Sequence, residues 1–176
     1  MSESRTQVVF GDGNPNASIM FVGEAPGREE DQAGRPFVGR SGRLLDRLLG
    51  EAGIAREQTY VANLVGCRPP QNRNPLAEEI AACQHWLRAQ LEIVDPEVIC
   101  SLGNFATKLL RNDSTGITRI HGSAERVNIA GVERTLYPLF HPAAALRSRA
   151  TLELLAADLL RLPGLLMERG ADAGHR

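Results

Sequence analysis

At 176 residues, with 43% hydrophobic and 23% charged residues, the chain has the size and composition of one soluble globular domain with a real core. No apolar run approaches the roughly eighteen residues of a membrane span, and Met1-Ser2-Glu3-Ser4-Arg5 lacks the apolar stretch of a secretory signal, so a cytoplasmic location is expected. A net charge of −1 withholds the basic footprint of a typical nucleic-acid binder.

In chain order, residues 18–22 form the first nearly continuous apolar run, followed by the loop Gly23-Glu24-Ala25-Pro26-Gly27 and an acidic run, Glu29-Glu30-Asp31. The acidic run reads as a solvated loop, most clearly for Glu29 and Asp31. Leu at 44, 45, 48 and 49 predicts a helix over 41–52 with Gly53 as its C-cap. A second strand, 59–65, leads into the Pro-rich loop 66–75, and apolar spacing from Ile80 to Val94 predicts a helix over 76–94. Strand 98–102 and helix 103–111 follow. A weak strand at 125–129 and the turn Ala130-Gly131 form a hairpin with strand 135–140, and the last helix covers 150–166.

Strands without polar alternation are buried on both faces, and their alternation with helices implies a parallel sheet. The expected fold is a three-layer α/β/α domain around a central, mainly parallel four-stranded sheet. It spans 1–176 as one domain, with 1–4 and 168–176 as flexible tails. Ligand sites in such sheets lie beyond the carboxyl ends of the strands. The loops 23–27 and 66–75 and the pair His141-Pro142 each follow a strand, so they converge on one rim.

Several side chains at that rim carry candidate chemistry. His141 ends a strand and has its backbone direction fixed by Pro142; it is a charge stabiliser or a structural cap. Asn63 is an amide inside the apolar strand segment Val61-Ala62-Asn63-Leu64-Val65, and burial obliges it to find a partner, backbone or ligand. Gly23 begins a loop whose backbone amides are open to close approach, and Glu24 within it is placed to order a water or contact a ribose. Phe37, in Gly34-Arg35-Pro36-Phe37-Val38-Gly39, either folds back onto the core or stacks on a base.

Charge and thiols leave alternatives open. Lys108 is the lone lysine among twenty basic residues, and Arg28, Arg35, Arg40, Arg68, Arg73, Arg147 and Arg149 lie in Gly/Pro-rich loops. Such arginines grip phosphates or simply solvate the surface. Three cysteines in a cytosolic-looking chain argue against a disulfide framework. Cys100 reads as a buried small hydrophobe. Cys67, on the Pro-rich loop, and Cys83, on a helix, suit metal ligation or are two unrelated structural thiols.

Three blocks are informative as a set: Gly23–Gly27 as quoted above, Cys67-Arg68-Pro69-Pro70 followed by Asn72-Arg73, Pro75 and Cys83, and Phe140-His141-Pro142. Together and in this order they resemble the iron–sulfur (family 4) uracil-DNA glycosylases, which cut uracil out of DNA. The resemblance runs from residue 5 to about residue 165. It implies hydrolysis of the N-glycosidic bond of a flipped-out uracil, leaving an abasic site, by a monomer acting on single- or double-stranded DNA. Glu24 and Ala25 would contact the uracil region, with Gly23 at the pocket's edge, and Glu30 would lie near uracil C5. Phe37 would stack on the base, Asn63 would read its edge, and His141 would face O2. Leu146 would wedge into the duplex with Arg147 on phosphate, and Arg68 and Arg73 are further DNA contacts.

The family also implies a [4Fe-4S] cluster on four cysteines. Cys67 and Cys83 match the last two, but Met1–Ser4 contains no Cys-x-x-Cys. A late start site or a branch that lost its cluster would each account for this. Gly66 also stands where the family usually has Lys. The rival readings are an inactive DNA-binding relative and an iron–sulfur redox or sensing protein.

Overall fold

The computed structural model describes residues 5–173. Six strands build one sheet: β1 (Asp12–Gly13), β2 (Ile19–Gly23), β3 (Thr59–Asn63), β4 (Val98–Leu102), β5 (Glu125–Ile129) and β6 (Val132–Leu139), in the order β1-β3-β2-β4-β6-β5. The four expected strands form its parallel centre, β3-β2-β4-β6. The sheet has six strands, not four, because an antiparallel strand extends each edge, β1 on β3 and β5 on β6. The β5–β6 turn is the expected one; Ala130 and Gly131 have φ of 56° and 87°, the left-handed pair that a tight hairpin requires.

Helices α1 (Arg28–Ala33), α2 (Arg40–Glu51), α3 (Ala77–Val94), α4 (Gly103–Arg111), α5 (Ile117–Ile120), α6 (Pro142–Ala145) and α7 (Arg149–Ala173) complete the chain. Side-chain alternation along the central strands produces two cores. Ile19, Phe21, Val61, Cys100 and Leu139 face α2 and α7, whereas Met20, Val22, Ala62, Ile99 and Leu136 face α3 and α4. Cys100 is buried, as expected. Just beyond α2, Gly53 has a φ of +75° and bonds to the Gly50 carbonyl, which ends the helix. The last helix continues beyond residue 166 to Ala173. Residues 1–4 and 174–176 of the expected tails lie outside the described residues.

The acidic run departs from its expected loop. It forms α1, closed at Gly34 by a left-handed φ of 70°. Asp31 is 2% exposed and accepts from the backbone N–H groups of Thr6 (2.8 Å) and Gln7 (3.4 Å). Burial raises its pKa, but these donors and the charge of Arg68 outweigh that and hold it below the usual carboxylate value. Sequence alone does not reveal this burial, because the partners lie 25 and 24 residues away. The same N-terminal strap is tied by Val9 N–H to the Gly66 carbonyl (2.7 Å) and by the Gln90 amide to the Phe10 carbonyl (2.6 Å). It is therefore pinned against the Cys67 loop and α3. Replacing Asp31 with Ala leaves two N–H donors without their acceptor and should cost about 1–3 kcal/mol. A lower urea midpoint at unchanged slope is the expected readout, and an unmoved midpoint would contradict it.

Candidate active site

The parallel register brings the motifs together. Gly23, the last residue of β2, pairs with Asn63, the last residue of β3, and Leu102 of β4 pairs with Leu139 of β6. The loops leaving these strand ends enclose a cleft of about 670 Å³. Glu24, Ala25, Glu30, Phe37, Asn63, Arg68, Arg73, His141 and Arg147 all line it, so nine of the expected positions meet at one site.

Asn63 is 7% exposed, and its buried Oδ1 has no hydrogen-bond partner among the described residues. An unpaired buried amide oxygen is costly, and Gln90 Oε1 is in the same state among the described residues. Gly23 makes room for the Asn63 amide, because a Cβ there would lie 2.5 Å from Asn63 Oδ1 and 2.7 Å from Phe37 Cζ. Phe37 is 7% exposed, packed onto the core as the first of its two alternatives had it, and it also lines the cleft. Its φ of 54° is unusual for an aromatic residue. Two contacts impose that conformation. Gly42 of α2 sits so close that a Cβ would lie 1.7 Å from the Phe37 carbonyl oxygen, and Glu30 Oε1 accepts from the N–H groups of Val38 (3.1 Å) and Gly39 (2.8 Å). Glu30 thus lines the cleft while holding the loop that carries the ring.

His141 caps α6, its Nδ1 accepting from the Ala143 N–H at 3.0 Å. The neutral ring therefore carries its proton on Nε2. Burial lowers the imidazole pKa to about 4, although the nearby Glu30 charge opposes this, so the ring is neutral at physiological pH. The rings of His141 and Phe37 lie 5.8 Å apart at 34°. Glu24 is half-buried, and that burial raises its carboxyl pKa.

The expected DNA contacts divide. Arg147 lines the cleft mouth without an ion pair among the described residues, and its neighbour Leu146 is exposed but stands outside the cleft lining. Arg68 Nε donates to Asn72 Oδ1 at 2.7 Å. Arg73 is committed differently: it forms a two-point ion pair with Glu79 (2.8 and 2.7 Å) and also donates to the Asn74 carbonyl. Two further cations at the cleft, Arg28 and Arg40, also lack an ion pair among the described residues. Their signal in the sequence is a Gly-Arg step, which opens α1 and α2 immediately after Gly27 and Gly39.

Residues 10–160 match the sequence pattern of the Uracil DNA glycosylase superfamily. The chain is 49% identical over 148 residues to the "Type-4 uracil-DNA glycosylase" of Thermotoga maritima, covering 84% of this chain and 76% of that one. It is 40% identical over 170 residues to the protein of the same name from Saccharolobus solfataricus, covering 94% and 79%. It is 33% identical over 179 residues to the "Type-5 uracil-DNA glycosylase" of Pyrobaculum aerophilum, covering 92% and 75%.

The thiols do not form a cluster site. Cys67 and Cys83 line a separate pocket of about 320 Å³ with Val8, Phe10 and Trp86, and the Arg5 guanidinium donates to Cys67 Sγ at 2.7 Å. Cys100 lies apart, in the core facing α2 and α7. No group of three or more His, Cys, Asp or Glu able to hold a metal occurs among the described residues. A [4Fe-4S] cluster takes four thiolates, so the residues of this chain do not fit one. The 176-residue chain, purified anaerobically after expression with iron and sulfide supply, should carry only traces of iron and no visible sulfur-to-iron absorbance. A full complement of four irons would contradict this.

Proposed function

The chain belongs to the uracil-DNA glycosylase superfamily, and from that premise we propose that it hydrolyses the N-glycosidic bond of uracil flipped out of DNA, leaving an abasic site. The observation that carries the uracil specificity is the buried, unpartnered Oδ1 of Asn63 beside the Phe37 ring. A base extruded from the stack enters a tight pocket and is read by its edge. An Asn amide offers one acceptor and one donor, which complements the N3–H and O4 of uracil. Cytosine lacks the N3–H and presents an amine at position 4, so the same amide would meet a donor with a donor.

The chemistry follows from charge. As the glycosidic bond lengthens, the sugar acquires oxocarbenium character and the uracil leaves as an anion with charge on O2. The Nε2–H of a neutral His141, held by its Nδ1 cap, is the donor for that oxygen. Glu24, on the other side of the reacting bond, orders the attacking water and faces the cationic sugar. Arg28, Arg40 and Arg147 supply unpaired positive charge for phosphates at the mouth. No step in this scheme draws on a metal.

The activity is tested by treating a uracil-containing oligonucleotide with excess protein and cleaving abasic sites with alkali. Strand scission is expected, and Asn63→Asp should lose most of it. No scission with a verified fold would overturn the uracil reading, and full activity in Asn63→Asp would remove that side chain from base recognition.

His141→Ala should lower the single-turnover rate by about 10²–10³ while changing DNA binding much less. The pH dependence has a defined sign. Because the folded pKa lies below the ordinary 6.5, the neutral ring contributes stability that is complete above pH 6.5 and lost as pH falls toward about 4. Proton NMR should therefore place the His141 titration near pH 4; a midpoint near 6.5, or equal losses of rate and binding in His141→Ala, would contradict the assignment.

A further inference from the structure

Phe140 and His141 lie just beyond the sheet. The last ladder pair between β4 and β6 joins Leu102 to Leu139, so strand pairing does not fix the residue that carries the proposed O2 donor. The helix that His141 caps, α6, is four residues long and too short to be rigid by itself. The direction of His141 therefore depends on how the side chain before it is anchored. Phe140 is 9% exposed and sits in the core facing α2 and α7. Against its ring lies that of His121, with centroids 4.6 Å apart at 41°.

His121 follows α5 and is itself held. Its Nδ1 lies 2.7 Å from Oδ2 of Asp158 on α7, a carboxylate that accepts, so Nδ1 carries a proton and donates. Asp158 is 1% exposed, and such burial is tolerated because the Arg161 guanidinium donates to its other oxygen, Oδ1. The Tyr137 hydroxyl donates to the Asp158 carbonyl at 2.9 Å, which ties the same turn of α7 to β6. Gly122, with a φ of +65°, turns the chain beside the carboxylate: a Cβ there would lie 2.1 Å from Asp158 Oδ1. The Gly122 N–H donates to the Pro138 carbonyl at 2.8 Å. The turn after α5 is thus stapled to β6 by its backbone and to α7 by its imidazole. Arg161 and Tyr137 already serve Asp158 and join α7 to β6. What His121 adds is a fixed plate against Phe140, one residue before His141.

We propose that His121, fixed by Asp158, is a positioning residue for the reaction: its ring presses Phe140 into the core and so sets the direction in which His141 presents Nε2 to the leaving uracil. The inference rests on the glycosylase reading, and its test has one arm that needs no excision. His121→Ala should lower the single-turnover excision rate by about ten- to a hundredfold with DNA affinity nearly unchanged, since a group misplaced by about 1 Å loses on the order of 10² in rate. His121→Asn keeps a flat amide whose N–H stands where the imidazole Nδ1–H stood, and should recover most of the rate. In a His141→Ala background, His121→Ala should cost nothing further, because it acts through the ring already removed. Phe140→Leu keeps an apolar side chain in the core, should reproduce the loss, and stands in for the alanine variant if that one does not fold. In DNA-free protein, the ring proton and nitrogen resonances of His141 should move in His121→Ala and return in His121→Asn. Unmoved resonances, an unchanged rate, or the same fold-loss in both backgrounds would overturn the positioning role. A wild-type protein that releases no uracil while its His141 resonances still respond to His121 would remove the uracil reading and leave the positioning of His141 standing.

Discussion

Everything at the rim depends on the in-register parallel pairing of β2 with β3. It sets Gly23 beside Asn63, and the absence of a side chain at Gly23 leaves space for both the Asn63 amide and the Phe37 ring. Any side chain at 23 would have to displace one or the other. The pairing is itself secured by burial, since every residue of β2 and β3 is buried and a one-residue slip would turn each side chain to the opposite core. The hydrophobic core therefore holds a polar atom that no partner among the described residues satisfies. In the proposed reaction that oxygen is where the uracil edge binds.

Around this centre the fold spends local stability on geometry. Phe37 sits in left-handed backbone, held there by Gly42 of α2 and by the carboxylate of Glu30. His141 is fixed by a hydrogen bond from its own helix, which also selects the ring tautomer. Asp31 in turn anchors the N-terminal strap over the Cys67 loop, where an arginine and two aromatic rings line the pocket of the two thiols. Phe10 and Trp86 meet edge to face there, with centroids 5.9 Å apart. Between these groups the pocket of about 320 Å³ that the two thiols line stays open.

Much of this was legible in the sequence because buried parallel strands announce themselves as apolar runs, and the loops after them must share one rim. Glu24, Asn63 and His141 were identifiable for that reason, whereas the resemblance added Phe37, and all four line the cleft. Three features were not. β1 is two residues long, one of them Gly, and carries no pattern. The burial of Asp31 comes from backbone donors distant in sequence, so its acidic run resembled a solvated loop. The pairing of Arg73 with Glu79 at the start of α3, where Glu79 also accepts the Leu76 N–H, was not foreseen. For β1 and Asp31 the deciding contact is tertiary, and composition or spacing does not encode it, whereas Arg73 and Glu79 are only six residues apart.

The central claim is that the orphaned amide of Asn63 reads the edge of a uracil stacked at Phe37, with His141 Nε2 at its O2. A crystal structure of the protein soaked with free uracil tests this most directly. The account predicts the base in the cleft, its N3–H donating to Asn63 Oδ1, its ring against Phe37 and its O2 within hydrogen-bonding distance of His141 Nε2. Uracil bound elsewhere, or bound in the cleft with Asn63 Oδ1 still unpaired, would contradict it.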